Sequence, residues 1–205
     1  YLEIFRKEPL EVFSGQEFTI RRFQPGDEYG IARLIHAVYG EDYPIDEYYI
    51  PGRILEKNRE QSLCSVIAQT ADGNIAGHCA LYRSAPPFLL LYEGGLYMIL
   101  ENYRQTDMFK NLDSYLKKHV VQTSPAEGIF VESVTNQIVT QFSANRFKMS
   151  DYALELCIYS LEKIRDGEER RISNLIQFKT VRERIHPVYL PDCYQNEIDF
   201  LLSDA

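Results

Sequence analysis

From residue 17 onward, the spacing of hydrophobic and polar positions divides the chain into strands and helices. Phe18 and Ile20 alternate with polar neighbours and predict a strand, and the QPGD sequence at residues 24–27 ends it and begins a helix. Apolar residues at helical spacing make this helix amphipathic, and Gly40 is placed to end it. A second, more polar helix is predicted over residues 53–61.

The middle of the chain predicts three strands followed by a helix. Residues 63–70 and 75–83 are joined by ADGN, whose Asp-Gly pair is a strong hairpin signal. The apolar run LLLYEGGLYMI at residues 89–99 predicts a buried third strand. Either Thr106 or Asp107 is suited to cap the next helix, whose apolar stripe consists of Met108, Leu112, Tyr115, Leu116 and His119.

The last third of the chain continues the mixed pattern. A strand over residues 128–133 and a short helix over 135–145 are followed by strands at 152–160 and 172–180, joined by the charged residues 162–171. Pro191 and Asp192 suit a further helix start, and its stripe of Tyr194, Ile198, Leu201 and Leu202 predicts a docking helix. The order of elements therefore places the chain in the α/β (α+β) class.

Composition narrows the class of protein. The chain has 205 residues, of which 45% are hydrophobic and 25% charged, as in globular proteins with a core of their own. No apolar run approaches the roughly 18 residues of a membrane span, and no basic segment precedes an apolar one as in a signal peptide. A formal charge of −8 argues against nucleic acid as a partner. We therefore expect a cytoplasmic protein with neither membrane nor nucleic acid as a partner.

The cysteines and histidines add little chemistry. The four cysteines are widely spaced and form no C-x-x-C pair, so reduced structural cysteines are favoured over disulfides. The histidines His36, His78, His119 and His186 have no metal-ligand spacing with each other or with cysteines. We expect no metal.

Two features suggest a site. A helix that begins directly after the buried strand at residues 89–99 presents free N–H groups to an anion such as a phosphate. Within that strand, Glu93 is a lone carboxylate among apolar residues, where an unpaired charge is costly. Either Glu93 has a function, with Tyr92 and Tyr97 as further candidates for a base, or it forms an ion pair with an arginine or lysine.

The order of elements, together with the turn ILENYR at residues 99–104, resembles the GNAT superfamily of N-acetyltransferases. The resemblance implies a GNAT-type fold with a mixed, mostly antiparallel central sheet flanked by helices and with a C-terminal appendage. It also implies an N-terminal arm over residues 1–16, the domain over 17–180 and the appendage over 181–205. The partners left open are a homodimer or a neighbouring domain of a larger protein.

The same resemblance implies an acyl-CoA-dependent N-acyltransferase that moves an acetyl group from acetyl-CoA, or another acyl group, to a small-molecule or peptide amine by direct attack. Glu93 is then the general base. Gly94 and Gly95 mark a bulge, or else merely relieve crowding. The residues implied to bind the cofactor are Tyr97, Met98, Ile99, Arg104, Gln105, Thr106, Asp107, Met108, Phe109 and Asn136, with Arg104 equally acceptable as a solvated surface residue.

The acceptor loop and the proton donor follow from the resemblance as well. The segment YGEDYPIDEYY at residues 39–49 falls where the family places the loop over the acceptor, and its acidic residues favour a cationic amine, unless it is only a solvated loop anchored by tyrosines. Phe142 stands where the family often has a tyrosine acid, so either the thiolate leaves without that acid, or Ser143 or another nearby group supplies the proton, or no transfer occurs. Asp107 and Phe109 replace the small residues of the phosphate loop. These departures favour the alternative, a catalytically silent GNAT-like module for ligand sensing or protein interaction.

Overall fold

The computed structural model describes residues 1–161, 170–183 and 191–203. In chain order the elements are α1 (Leu2–Lys7), β1 (Phe18–Arg22), α2 (Glu28–Tyr39), α3 (Pro51–Arg59), β2 (Leu63–Thr70), β3 (Ile75–Tyr82), β4 (Leu91–Ile99), α4 (Met108–Tyr115), α5 (Val121–Thr123), β5 (Gly128–Val134), α6 (Val139–Arg146), β6 (Ser150–Leu161), β7 (Arg170–Thr180) and α7 (Gln195–Ser203). A π-helical turn, Leu116–Val120, joins α4 to α5.

The strands form one sheet of seven in the order β1-β2-β3-β4-β5-β7-β6. Five neighbouring pairs are antiparallel, and β4 pairs with β5 in parallel. The predicted mixed, mostly antiparallel sheet flanked by helices is therefore confirmed.

The helices cover the two faces of this sheet. Successive residues of a strand point to opposite faces of the sheet, so Cys79 and His78 on β3 contact different layers of helices. The Sγ of Cys79 lies 3.7 Å from the carbonyl oxygen of Leu112 on α4. The ring of His78 instead contacts Ser65, whose hydroxyl also contacts Asn58 of α3. We call the side of α2 and α3 the first face, and the side of α4 and α6 the second face.

The N-terminal segment packs against the first face. Phe5 is only 1% exposed, and its ring lies 5.5 Å from that of Tyr29 and 5.7 Å from that of His36, both on α2. Further along, Asn102 Nδ2 donates a hydrogen bond to the carbonyl oxygen of Val12 at 2.7 Å. Residues 1–16 are thus tied to the domain at both ends, while the domain boundaries at 16/17 and 180/181 stay predictions.

Local signals explain where most elements begin and end. Gly40 ends α2 with φ 63°, and Gly73 turns the β2–β3 hairpin with φ 88°, both in the left-handed region that glycine tolerates. The sixth helix begins at Val139, later than the predicted 135, and the Oε1 of Gln137, one residue before the N-cap Ile138, accepts the first helical N–H, that of Val139, at 2.6 Å.

Two predictions concern the rest of the chain. The charged connection predicted over residues 162–171 lies mostly outside the described residues. The predicted last helix is present as α7. Across the described ranges, we find no helix with the length and apolar character needed to cross a membrane.

Candidate active site

The site begins where β4 and β5 separate. The two strands pair at Leu91 with Gly128, Tyr92 with Ile129 and Glu93 with Phe130, and their pairing ends there. A Cβ on the next residue, Gly94, would lie 3.2 Å from Cγ1 of Val131. The strands are thus held close up to this point, and beyond it the backbone edge of β4 is open toward β5.

A bulge in β4 lies beside the opening. Gly95 pairs with Ala80 and Met98 with His78, so that Leu96 and Tyr97 together oppose one residue, Cys79. Leu96 has φ 55°, in the left-handed region. The bulge therefore follows the two glycines instead of including them.

Buried His78 supports this bulge. Its Nδ1 lies 3.0 Å from the carbonyl oxygen of Leu96, and its Nε2 lies 3.0 Å from Oγ of Ser65. Burial lowers the pKa of His78 to about 4, so the ring is neutral near pH 7. Since a carbonyl only accepts, Nδ1–H donates to Leu96 and Nε2 accepts from the Ser65 hydroxyl. Sequence reasoning considered His78 only as a metal ligand and missed this role.

A cavity of about 500 Å³ extends through the opening and is lined from both faces of the sheet. Glu93 and Phe130 are paired and point to the first face, as does Glu132 two residues further along β5. The first-face lining includes Tyr39, Tyr43, Tyr82, Glu93 and Glu132, and the second-face lining includes Tyr97, Phe109, Asp113, Lys117 and Ser143.

Glu93 faces this cavity and accepts a short hydrogen bond from the hydroxyl of Tyr82. Burial, followed by the charge of Glu93, raises the pKa of Tyr82, so the phenol stays protonated and donates. In the part of the chain that the structure describes, no lysine or arginine forms an ion pair with Glu93. The ion-pair interpretation of this residue therefore has no support in the structure.

Neither of the other candidate bases is free for that role. The hydroxyl of Tyr92 donates to the carbonyl oxygen of Gln61 at 2.8 Å and accepts from Nε of Arg83 at 3.0 Å, and its side chain is fully buried. Burial raises the pKa of Tyr97, whose hydroxyl donates to Oδ1 of Asp113 at 2.8 Å. Of the three candidate bases, Glu93 is left as the one whose side chain is not held by hydrogen bonds to the backbone or to Asp113.

Tyrosines anchor the acidic loop that follows α2. The hydroxyl of Tyr49 accepts the N–H of Tyr43 at 3.0 Å and donates to the carbonyl oxygen of Gly40 at 2.9 Å. Two of the four loop acids are paired with cations. Glu41 bonds Arg6, and Glu47 lies 2.9 Å from Lys57. Among the described residues, the carboxylates that line the cavity belong to Glu93, Glu132 and Asp113, and none of them comes from this loop.

A polar cluster ties the second face together. Asp113 accepts hydrogen bonds from Ser143 Oγ at 2.6 Å and from Lys117 Nζ at 2.9 Å, in addition to the one from Tyr97. Lys117 Nζ also donates to the carbonyl oxygen of Ser143 at 2.8 Å. The side chains of Asp113 and Lys117 are each 16% exposed. Sequence reasoning named Ser143 but missed its two charged partners, whose i,i+4 spacing from α4 into the π-helical turn was the available signal.

The predicted phosphate loop lies at the start of α4. Thr106 Oγ1 accepts the N–H of Met108 at 3.2 Å, and the Met108 side chain is fully buried in the core. Asp107 is exposed, with Lys110 Nζ 3.7 Å from its carboxylate. The ring of Phe109 turns inward and lies 5.1 Å from that of Tyr97. The acid thus faces solvent, and the phenylalanine does not cover the helix end.

The remaining predicted cofactor residues are spread around this region. Met98 is buried in β4 and Ile99 is half-buried at its end. Arg104 and Gln105 are exposed, and Arg104 Nε lies 3.4 Å from the carbonyl oxygen of Ile99. Asn136 is exposed on the turn after β5 and lines neither the cavity nor the groove described next. The structure therefore brings Glu93, Tyr97, Phe109 and Ser143 together around one cavity.

A groove of about 890 Å³ lies between α4 and α6 and shares Phe109, Asp113, Lys117 and Ser143 with the cavity. Its other side chains include the exposed ring of Phe142, and its charged residues are Lys110, Lys117, Lys118 and Arg146 against one carboxylate, Asp113. The groove is therefore cationic in a chain that is acidic as a whole. Such a surface suits an anionic, partly aromatic ligand.

No group of three or more histidine, cysteine, aspartate or glutamate side chains is arranged to hold a metal within the described ranges. The expectation that the protein uses no metal stays a prediction.

No family model matches the sequence, and no curated protein matches it. Solved structures do match. A GNAT-family acetyltransferase from Streptococcus pneumoniae is 11% identical with a TM-score of 0.61, covering 80% of this chain and 99% of its own. The ribosomal-protein-S18-alanine N-acetyltransferase from Escherichia coli is also 11% identical, with a TM-score of 0.58, covering 85% of this chain and 100% of its own.

A third match carries a ligand. The proposed acetyltransferase yncA from Salmonella typhimurium, determined with its cofactor acetyl-CoA, is 12% identical with a TM-score of 0.60, covering 85% of this chain and 99% of its own. At such identities the likeness concerns the fold. The chain has the GNAT fold, as the resemblance of its sequence predicted.

Proposed function

We propose that the protein is an acyl-CoA-dependent N-acyltransferase that transfers an acetyl group to a small-molecule or peptide amine by direct attack. One observation carries the proposal: the opening between β4 and β5 joins a carboxylate on the first face, Glu93, to a cationic groove on the second. Transfer between an acyl donor on one side and an amine on the other needs such a passage. The structural neighbours support the proposal because they are described as acetyltransferases.

The residues present fit acetyl-CoA, which would supply the thioester. Cations of the groove, namely Lys110, Lys118 and Arg146, would hold its phosphates, and the exposed Phe142 ring offers a stacking surface. The open edge of β4 from Leu96 to Met98 would bond the pantetheine amides, held in place by the bulge that His78 supports. Asp107 is exposed, and its carboxylate lies 3.7 Å from Lys110 Nζ, so that lysine would offset its charge near the phosphates.

In this mechanism the side chains of the protein accept one proton and donate another. Glu93 accepts one proton from the attacking ammonium, directly or through a water, which leaves the neutral amine as nucleophile. Tyr82 orients the carboxylate through its short hydrogen bond. On the other face, Ser143 would give a proton to the leaving sulfur once its hydroxyl turns away from Asp113, and Lys117, whose ammonium donates to the same oxygen, would replace that proton. Asp113 holds both donors in position.

A second candidate function is a catalytically silent module that binds a ligand or a partner protein. The observation that favours it is the polar cluster of Tyr97, Asp113, Lys117 and Ser143, which ties β4, α4 and α6 together between the cavity and the groove. Phe142 adds to it, since a phenylalanine donates no proton. Such a module would bind acetyl-CoA without passing its acyl group on, or would not bind it.

Calorimetric titration with acetyl-CoA tests the proposal. We expect the wild type to bind and Lys118→Glu to bind about tenfold more weakly, because reversing one charge near a phosphate costs about 1 to 2 kcal/mol in a solvated groove. The matched control is Lys7→Glu, the same charge reversal on exposed α1. Absence of binding at millimolar acetyl-CoA, or equal weakening in both variants, would contradict the proposal.

A further inference from the structure

Part of the second-face wall of the cavity is apolar. Val131 follows Phe130 on β5, so its side chain points to the second face, where α6 lies. Ala144 of α6 lines the cavity on this side, as does Met149, whose N–H donates to the carbonyl oxygen of Ala144 at 3.2 Å. Ala144 is 2% exposed and Met149 is 5% exposed. We call the part of the cavity lined by Val131, Ala144 and Met149 the apolar end.

The polar side chains on the same face offer little to a charged ligand. The hydroxyl of buried Ser133 donates to Oε1 of Gln177 at 2.8 Å. Lys117 is the one cation among the described residues that line the cavity, and its ammonium donates to Asp113 and to the carbonyl oxygen of Ser143. Since burying a charge without a partner is costly, the apolar end suits an uncharged, apolar group.

Under the proposed function, the apolar end lies where an acyl chain would extend. Ser143 gives a proton to the leaving sulfur, and Ala144 is the next residue of α6. Because the acyl carbon is bonded to that sulfur, the acyl chain begins within reach of the apolar end. The amine approaches from the first face, where Glu93 lies, and leaves this space to the acyl chain.

We propose that the protein prefers an uncharged, straight-chain acyl group longer than acetyl, and that the apolar end holds this chain. The inference rests on the proposed function. At about 30 Å³ for each heavy atom, as for a water molecule in the liquid, an acetyl group fills about 90 Å³ and a hexanoyl group about 210 Å³. A cavity of about 500 Å³ therefore accommodates a hexanoyl group and still leaves room for the amine.

Calorimetric titration of the wild type with three compounds tests the preference: acetyl-CoA, hexanoyl-CoA and adipoyl-CoA, which has the chain length of hexanoyl-CoA and a carboxylate at its end. Each fully buried methylene strengthens binding by about fourfold, so hexanoyl-CoA, with four more methylenes than acetyl-CoA, should bind about tenfold more tightly or better even when they are only partly buried. Adipoyl-CoA should bind about tenfold more weakly than hexanoyl-CoA, because its carboxylate enters a space without a free cation.

A matched pair of variants separates the apolar end from a general attraction of longer chains to the protein surface. Ala144→Leu fills part of the space, so the preference for hexanoyl-CoA over acetyl-CoA should fall to about threefold or less. Ala71→Leu makes the same change in the exposed β2–β3 turn and leaves the wild-type preference in place. Circular dichroism checks that each variant is folded, and Val131→Leu narrows the same space from β5 if Ala144→Leu does not fold.

The outcomes distinguish this inference from the proposed function. Equal affinity of the wild type for acetyl-CoA and hexanoyl-CoA would overturn the inference and leave the proposed acyltransferase intact. Equal affinity for hexanoyl-CoA and adipoyl-CoA would do the same, as would a preference that a folded Ala144→Leu or Val131→Leu variant keeps in full. Failure of all three compounds to bind would reject both the inference and the proposed function.

Discussion

Replacing His78 by leucine removes the side chain that supports the β4 bulge. The buried ring donates to the carbonyl oxygen of Leu96 and accepts from the hydroxyl of Ser65. Leucine has a similar bulk but satisfies neither group, and a buried polar group left without a partner costs about 1 to 3 kcal/mol. We therefore expect His78→Leu to lower the free energy of unfolding by about 2 to 4 kcal/mol, and Ser65→Ala, which leaves the bond to Leu96, by about 1 kcal/mol.

The pH dependence of stability gives a sharper test of the same residue. The pKa of His78 is about 4 in the folded protein, against an ordinary value of 6.5. Between these values the unfolded chain binds the proton and the folded chain does not, so stability falls as the pH falls from 6.5 toward 4. From about pH 7 to about pH 5 the wild type should lose about 2 kcal/mol through this residue.

Two carboxyl groups with lowered pKa values act below this window. The pKa values of Glu41 and Asp72 are lowered by hydrogen bonds, from Arg6 and from Thr70 respectively, so the stability that they contribute is lost only below their ordinary values of 4.5 and 3.8. The measurement is urea unfolding followed by far-ultraviolet circular dichroism, because the chain has no tryptophan to report by fluorescence. If His78→Leu loses as much stability as the wild type between about pH 7 and about pH 5, a neutral buried His78 is not the cause and the reasoning fails.

Two further predictions concern packing. A Cβ on Gly77 would lie 2.6 Å from Sδ of Met108, so Gly77→Ala should lower the free energy of unfolding by about 1 to 3 kcal/mol. The control is Gly52→Ala on α3, where a Cβ meets nothing within 4 Å and the free energy of unfolding should stay unchanged or rise slightly. Equal effects of the two variants in urea unfolding would contradict this prediction. Burial raises the pKa of the Cys79 thiol, so an alkylating reagent added to the native protein should modify exposed Cys157 and leave Cys79 unmodified, as mass spectrometry would show. Labelling of Cys79 as fast as that of Cys157 would contradict its burial in the core.

Much of the fold could be predicted from the sequence because its signals are local. The Asp72-Gly73 turn, the ending of α2 at Gly40 and the apolar run of β4 each depend on a few neighbouring residues, and their order identified the sheet. The N-terminal segment was harder, because Phe5 is its one fully buried residue, and the partly buried Leu2, Leu10 and Val12 that also pack against the core follow no regular spacing.

The site was only half accessible to the same reasoning. Glu93 stood out because a carboxylate is unusual in an apolar strand. Its neighbours Tyr82 and Glu132 come from other strands, and whether they share its face depends on register, which the sequence does not display. The bulge at Leu96 likewise depends on a non-glycine residue with positive φ, whereas the adjacent glycines attracted the prediction.

The most direct test of the proposed acyltransferase is mass-spectrometric detection of N-acetylpentylamine after incubation of the protein with acetyl-CoA and pentylamine. Mass detection is preferable to a thiol reagent, since Cys157 and Cys193 are exposed and would react themselves. We predict product with the wild type and with Glu56→Gln, an exposed glutamate paired with Arg53 on α3, and at least a hundredfold slower formation with Glu93→Gln, which lacks the base. A wild-type protein that binds both compounds and forms no product, or a Glu93→Gln variant as fast as the wild type, would contradict the account.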